Sequence, residues 1–362
     1  MIYYCIYIPF ILLSLLDFTN LSLNSKRTLI HFFVFVLTSF WGIRWDCGTD
    51  WSHFLEVFQA SRMDNIFTFD QGVGEPMEPG FIFLNALVKL LGGNYTCFLL
   101  IFNFLVLICF ARFSLKYTKY PLLSFVYTII SLGIIFPNRQ ALAMGITSFS
   151  ICYLLKRSFV KYCIPILLAS TIHVSAIIMI PLYPLFSLKT KPWMIFIIYL
   201  ISLEIGTILP LIFDSIINLG VFGSLISVRL ISYSQTVSSI GDDFSSRGLT
   251  SFILSFSYLS FFVLKKMYCS PIKLWHYSFN GFLIMELIRN IFMETMRDFM
   301  RLELYFRPYA SILLSNAFGN FSKTKYKYIS GIIFASLMLY FFIKTLTGTF
   351  AETYFPYKTI FE

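Results

Sequence analysis

Apolar runs of roughly bilayer-crossing length recur from one end of this chain to the other, and that recurrence limits what it can fold into. A helix needs about 20 residues to cross the hydrocarbon core, with about 17 near the lower limit. Candidate spans are 1–16, 29–43, 95–113, 121–136, 140–155, 159–172, 174–188, 193–213, 249–266, 275–293, 299–316 and 328–346. Of the 362 residues, 57% are hydrophobic and 13% charged, and the mean hydropathy is +0.76. Soluble domains average about 45–50% apolar and about 25% charged. A disordered chain, a disulfide-stapled secreted module and an ordinary cytosolic enzyme are all excluded. The expected fold is all-α: a polytopic integral membrane protein forming a single transmembrane domain over 1–362, with about 12 transmembrane helices. Short re-entrant or interfacial helices, such as 80–91, and two larger external loops, 44–79 and 214–248, complete it. Pro165, Pro181 and Pro184 predict broken or tilted helices between 159 and 188.

The net charge of +10 is read as membrane topology rather than as a nucleic-acid footprint. Six short loops gather lysines and are assigned to the cytoplasm: those holding Lys26–Arg27, Arg112/Lys116/Lys119, Lys156/Arg157/Lys161, Lys189/Lys191, Lys265/Lys266/Lys273 and Lys323/Lys325/Lys327. Both termini then lie outside. Arginines dominate elsewhere, at 44, 62, 139, 229, 247, 289, 297, 301 and 307. Topology gives no reason for that split, whereas the planar guanidinium fork suits phosphate and carboxylate. The working site is therefore expected outside. Met1–Leu16 lacks a basic leader and a small-residue cleavage site, so it is read as a first span rather than a signal peptide. The seven cysteines form no CxxC pair, and a Cys47–Cys97 disulfide near the outer surface has no support beyond proximity.

Charges beside or within apolar spans are costly unless paired or used, and they mark the candidates. The first outer loop opens on Arg44-Trp-Asp-Cys-Gly-Thr-Asp50-Trp51 and closes on Glu75-Pro-Met-Glu78-Pro-Gly80-Phe. Carboxylates and aromatics together suit sugar hydroxyls and the apolar faces of sugar rings. Most of its acids read as solvated loop residues; Arg44, Asp50 and Glu78 stand out for their position. Arg139 begins a span, where the helix dipole and free N–H groups join it as an anion site, the alternative being a snorkelling interfacial arginine. His173 sits in a long apolar stretch, either as a satisfied core residue or, at an outer break, as a base or donor.

The densest cluster runs from Glu286 to Arg307. Glu294, Arg297, Arg301 and Tyr305 are spaced to share one face of a continuous helix. The Arg297–Arg301 like-charge pair is unfavourable unless acids such as Glu294 and Asp298, or a ligand such as pyrophosphate, compensate it. No Walker A loop, HExxH, GxSxG or Cys/His metal spacing occurs, and Asp242-Asp243 is weak evidence for a cation, so neither a metal nor a cofactor is expected.

The order of these pieces resembles the EpsG family of Wzy-like bacterial polysaccharide polymerases. The matching elements are Arg44 ahead of Gly48-Thr-Asp50-Trp51, Glu78-Pro-Gly80-Phe, Arg139-Gln, His173-Val-Ser-Ala before Pro181, Arg301 followed by Tyr305-Phe306, and Tyr354-Phe-Pro-Tyr357. Each motif is short; their order carries the resemblance, and about 190–290 shows none. The resemblance implies an enzyme of the bacterial inner membrane. It would transfer a glycan from undecaprenyl pyrophosphate to a hydroxyl of a lipid-linked repeat unit at the extracytoplasmic face, independently of metal. Asp50, Glu78 or His173 would supply the base. Arg139, Arg297 and Arg301 would hold the pyrophosphate, Arg44 would bind pyrophosphate or sugar, and Trp45, Trp51 and Tyr305 would hold sugar rings. Its partners would be the lipid-linked oligosaccharide and the bilayer, with a chain-length regulator protein as a further candidate and no nucleic acid. Two alternatives stand beside it: an O-antigen ligase-like or other lipid-phosphate-dependent glycosyltransferase, and a non-enzymatic flippase or transporter.

Overall fold

A computed structural model describes residues 1–68, 77–218, 255, 272–292, 297–321, 324–348 and 350–361, the side chains of 210–218, 272, 297 and 298 excepted. It is 77% helical, with no strand among the described residues and one isolated bridge, Arg44 to Thr359. The helices in chain order are α1 (Ile2–Ser14), α2 (Leu23–Gly42), α3 (Trp51–Ala60), α4 (Pro79–Leu90), α5 (Tyr95–Tyr117), α6 (Pro121–Ile130), α7 (Arg139–Thr147), α8 (Ile151–Leu155) and α9 (Phe159–Ser170). They continue as α10 (Pro192–Asn218), α11 (Ile272–Phe292), α12 (Arg297–Met300), α13 (Arg307–Asn320), α14 (Lys327–Leu346) and α15 (Ala351–Tyr354). Residues 69–76 of the outer loop 44–79, residues 219–248 of the outer loop 214–248 and the candidate span 249–266, apart from Ser255, lie outside the described residues, as do Glu75, Arg229, Asp242, Asp243, Arg247 and Glu294.

Local chemistry sets most boundaries. Ser22, Asn94 and Asn138 each accept a backbone N–H three residues on, starting α2, α5 and α7. Pro79 and Pro121 occupy the first turns of α4 and α6, where their missing N–H costs nothing.

Three described helices have the length and apolarity to cross a membrane: Tyr95–Tyr117, Pro192–Leu209 and Lys327–Leu346. The expectation of 12 spans is not confirmed among the described residues. Between 121 and 170 the chain is divided into α6 to α9, of 5 to 12 residues. At 1.5 Å per residue α6 and α9 reach only about 15–18 Å, whereas the 3₁₀ turn Ser148–Ser150 joins α7 and α8 into one helical path of about 25 Å. The candidate span 174–188 is no α-helix at all but two 3₁₀ turns, Val174–Met179 and Tyr183–Ser187. Pro181 and Pro184 remove donors and clash with a continuing helix, which accounts for the break. The candidate span 299–316 is likewise interrupted by a 3₁₀ segment, Arg301–Phe306.

The contacts divide the chain into two compact units, Met1–Tyr183 with Ser311–Glu362, and Pro184–Ala310. In the first unit α5 packs along α2. Gly145 of α7 lies so close to Cys109 of α5 that a Cβ there would stand 2.8 Å from the Cys109 Cβ. Trp41 donates to the Tyr7 hydroxyl at 3.2 Å, and the Ser124 and Ser311 hydroxyls share a bond of 2.7 Å. The C-terminal segment returns to the first outer loop: Trp45 N–H donates to the Lys358 carbonyl (2.9 Å), Gly48 N–H to Thr353 (2.8 Å) and the Tyr357 hydroxyl to Phe40 (2.6 Å). Cys47 is buried there while Cys97 is exposed on α5, and both are free thiols. In the second unit the Asn280 amide donates to the Phe186 carbonyl at 2.8 Å, and Phe186 stacks on Phe306.

At the opposite end of α2, buried Asp17 pairs with Lys26 Nζ at 2.8 Å and accepts the Leu123 N–H at 2.9 Å, tying α6 to the first two helices. Asp17→Asn keeps an acceptor but leaves Lys26 without a counter-charge. We expect a loss of about 2 kcal/mol, read as a lower melting temperature in detergent.

Candidate functional site

Glu78, Arg139 and His173 converge in the first unit. They lie 61 and 34 residues apart in sequence, and each stands where a helix begins or where the chain changes course. Glu78 is the N-cap of α4, but its side chain makes no cap bond to its own helix. Instead Oε2 pairs with Arg139 Nη1, and Oε1 meets His173 Nδ1 and the Val174 N–H, both at 3.0 Å. His173 has extended backbone between α9 and the 3₁₀ turn, which frees its ring to face Glu78. Arg139 opens α7, its guanidinium over the rings of Phe54 (5.6 Å) and Phe81 (5.5 Å). The three side chains keep 15%, 20% and 27% exposure, so the site is shielded but still open.

Gly80 makes this convergence possible. Its N–H donates to the Thr171 carbonyl at 2.7 Å, and a Cβ there would stand 2.8 Å from that oxygen. Only glycine lets the Glu-Pro-Gly turn lie against residues 171–174. Gly80→Ala is therefore expected to part Glu78 from His173 and Val174 and to cut any activity that needs their convergence at least tenfold, a cost of about 1.4 kcal/mol.

Burial alone would raise the Glu78 carboxyl. The His173 hydrogen bond, the Arg139 guanidinium and the Val174 N–H outweigh it and hold the group below its ordinary value. An ionised Glu78 accepts from all three partners, so His173 donates through Nδ1, and the neutral tautomer with that proton would present Nε2 as an acceptor. A carboxylate, an imidazole it orients and a paired arginine form a proton-accepting and anion-holding constellation.

The other candidates divide. Arg44 is buried, and its guanidinium lies 4.3 Å from the centre of the Phe136 ring. Its Nε and Nη1 have no hydrogen-bond partner among the described residues, and burial pushes it below the usual arginine value. It supports Phe136, three residues before Arg139, from behind. Asp50 is exposed at the N-cap of α3 with no cap bond, and does not join Glu78. Trp45 and Trp51 meet edge to face at 4.8 Å nearby.

In the second unit Arg301 is exposed and Tyr305 fully buried, so the expected common face does not form. The cause is the 3₁₀ segment Arg301–Phe306, which replaces the continuous helix that the spacing required. The Arg297 and Asp298 side chains lie outside the description. The ion pairs that are described use other members of the same cluster. Glu303, buried, pairs with Arg289 Nε at 2.8 Å and with Arg307, while Glu286 holds Arg289 Nη1 at 3.1 Å. Phe54, Phe81 and the Val174 N–H carried no signal in the sequence beyond ordinary apolar periodicity. Glu303 falls within the Glu286–Arg307 cluster but has no sequence signal of its own.

The comparisons with known proteins meet this geometry at one point. The EpsG family model matches residues 27–359, which takes in every residue of the convergent site. The chain belongs to the EpsG family. Members of the EpsG family are Wzy-like polymerases, so a membrane protein of polysaccharide biosynthesis with polymerase-like function follows. No curated protein and no solved structure matches the chain.

Proposed function

We propose that this EpsG-family protein is a polysaccharide polymerase of the bacterial inner membrane. It transfers a growing glycan from undecaprenyl pyrophosphate to a sugar hydroxyl of a lipid-linked repeat unit, with its site on the extracytoplasmic face. The observation that carries the reading is the Glu78–Arg139–His173 convergence inside the family match. The leaving group is a pyrophosphate, already a weak base, so it needs cationic stabilisation more than a proton. The acceptor is a neutral hydroxyl and needs a base.

Those demands fit the roles available. His173 Nε2 takes the hydroxyl proton as the acceptor oxygen bonds to the anomeric carbon. The bond from that carbon to the pyrophosphate oxygen breaks, and its electron pair leaves with the lipid pyrophosphate. Glu78 orients the imidazole and stabilises the imidazolium that forms. Arg139 grips the pyrophosphate, with only its Nη1 engaged by Glu78 among the described residues. Arg44 holds the Phe136 segment in place, and Arg297 and Arg301 are phosphate-binding candidates of the second unit in their own right. Asp50 with Trp45 and Trp51 forms the proposed rim for sugar.

The test gives purified protein a lipid-linked repeat unit and resolves the products by length. Wild type is expected to make ladders, and Arg139→Ala and Arg301→Ala to abolish them at similar folded yield. A wild type that binds the lipid but extends nothing overturns the polymerase reading.

A further inference from the structure

Far from Glu78, the first unit carries a basic cavity that the proposed reaction does not use. It has a volume of about 330 Å³ and is lined by Arg27 and His31 of α2 and by Ile108, Arg112, Leu115 and Lys116 of α5. The two helices run antiparallel. The end of α5 at Tyr95, whose hydroxyl donates to the Trp51 carbonyl at 3.1 Å, belongs with the first outer loop, whereas Arg112 and Lys116 lie at its other end. From Arg27 to the end of α2 at Gly42, two residues before Arg44, is roughly 22 Å of helix, not far short of one hydrocarbon thickness. The cavity thus opens one bilayer away from Arg44 and Trp51.

Its chemistry is one-sided. Arg27, His31, Arg112 and Lys116 are all exposed, and no carboxylate lies within ion-pair distance of any of them among the described residues. The Arg112 guanidinium carbon lies 4.7 Å from the centre of the Phe149 ring, which holds the exposed cation beside the cleft. Ile108 and Leu115 add an apolar wall on α5. Cations around an apolar-walled cleft between helices at the membrane boundary match a phosphodiester with acyl chains attached.

We propose that this cavity binds the headgroup of an anionic phospholipid of the leaflet opposite the glycan site. Its assignment to the cytoplasmic leaflet rests on the orientation in the proposed function; the binding itself does not. Arg112 and Lys116 hold the phosphodiester from α5, and Arg27 and His31 close on it from α2. A filled site pins the antiparallel pair whose far end carries Arg44 and Trp51.

The test is native mass spectrometry of the full chain released from nanodiscs with equal phosphatidylglycerol and phosphatidylcholine. Phosphatidylglycerol should be retained in preference, and R112Q/K116Q should weaken that retention roughly 30-fold, the effect of removing two basic side chains at a membrane surface. R27Q/H31Q, altering the other helix, should also weaken it, and K119Q, exposed but outside the cavity, should retain the lipid like wild type. Equal retention of the two lipids, or undiminished phosphatidylglycerol in both double variants, overturns the proposal. Displacement of the lipid by inorganic phosphate alone would assign the cavity to a soluble anion and overturn it as well. No turnover is measured, so failure here leaves the polymerase reading untouched, and the reverse also holds.

Discussion

His173→Asn is expected to slow ladder formation by about 10²–10⁴-fold at unchanged folded yield, the usual contribution of a positioned general base. Asparagine places an amide nitrogen near Nδ1, so it can still donate to Glu78 while the Nε2 lone pair disappears. Glu78→Gln should fall in the same range, because the amide can no longer stabilise an imidazolium and Arg139 loses its counter-charge. The two residues act through one proton transfer, so the double variant should be little slower than the worse single one. Initial rates of glycan extension measure this directly. Rates within tenfold of wild type for both single variants, or losses that multiply in the double, would remove His173 and Glu78 from the chemistry.

The second large effect concerns stability. Glu303 is the carboxylate shared by Arg289 and Arg307, and neutralising it leaves Arg307 without this partner while Glu286 still pairs with Arg289. Removing one partner of a buried ionic network leaves uncompensated charge and costs about 3–5 kcal/mol. Glu303→Gln should therefore lower the melting temperature of the detergent-solubilised protein by many degrees and expose the second unit to protease. Glu352→Gln, at an exposed position, should stay within about 0.5 kcal/mol of wild type. A Glu303→Gln protein that melts with wild type would mean the network carries no net stability, and its buried charges would then need a functional explanation.

What the sequence made legible follows from how local each cause is. The long helices over 95–117 and 327–346 were readable because their apolar runs are uninterrupted by proline, and in 192–218 an apolar run of 18 residues, Pro192–Leu209, precedes Pro210. The stretch 174–188 was just as apolar, but Pro181 and Pro184 act on hydrogen bonds rather than on hydropathy, and two 3₁₀ turns result. Glu78, Arg139 and His173 could each be singled out, since each is a charge or a titratable group at the edge of an apolar segment. Their meeting could not be read, because it depends on the Gly80 contact with Thr171, a pairing of segments 91 residues apart. Arg301 and Tyr305 failed in the other direction. Their spacing presupposed an α-helix, and the tighter 3₁₀ segment buries one and exposes the other. Arg44 was legible as unusual but not as enclosed, because the Phe136 ring and the returning C-terminal segment that bury it are distant in sequence.

Sidedness is open to one direct measurement, in spheroplasts carrying a chain stripped of its seven cysteines. Val174 is 60% exposed next to His173, and His31 is exposed at the far end of α2. A membrane-impermeant maleimide should modify Val174→Cys in sealed spheroplasts and reach His31→Cys only after permeabilisation. The opposite pattern, with position 174 protected and position 31 labelled from outside, would contradict an extracytoplasmic polymerisation site.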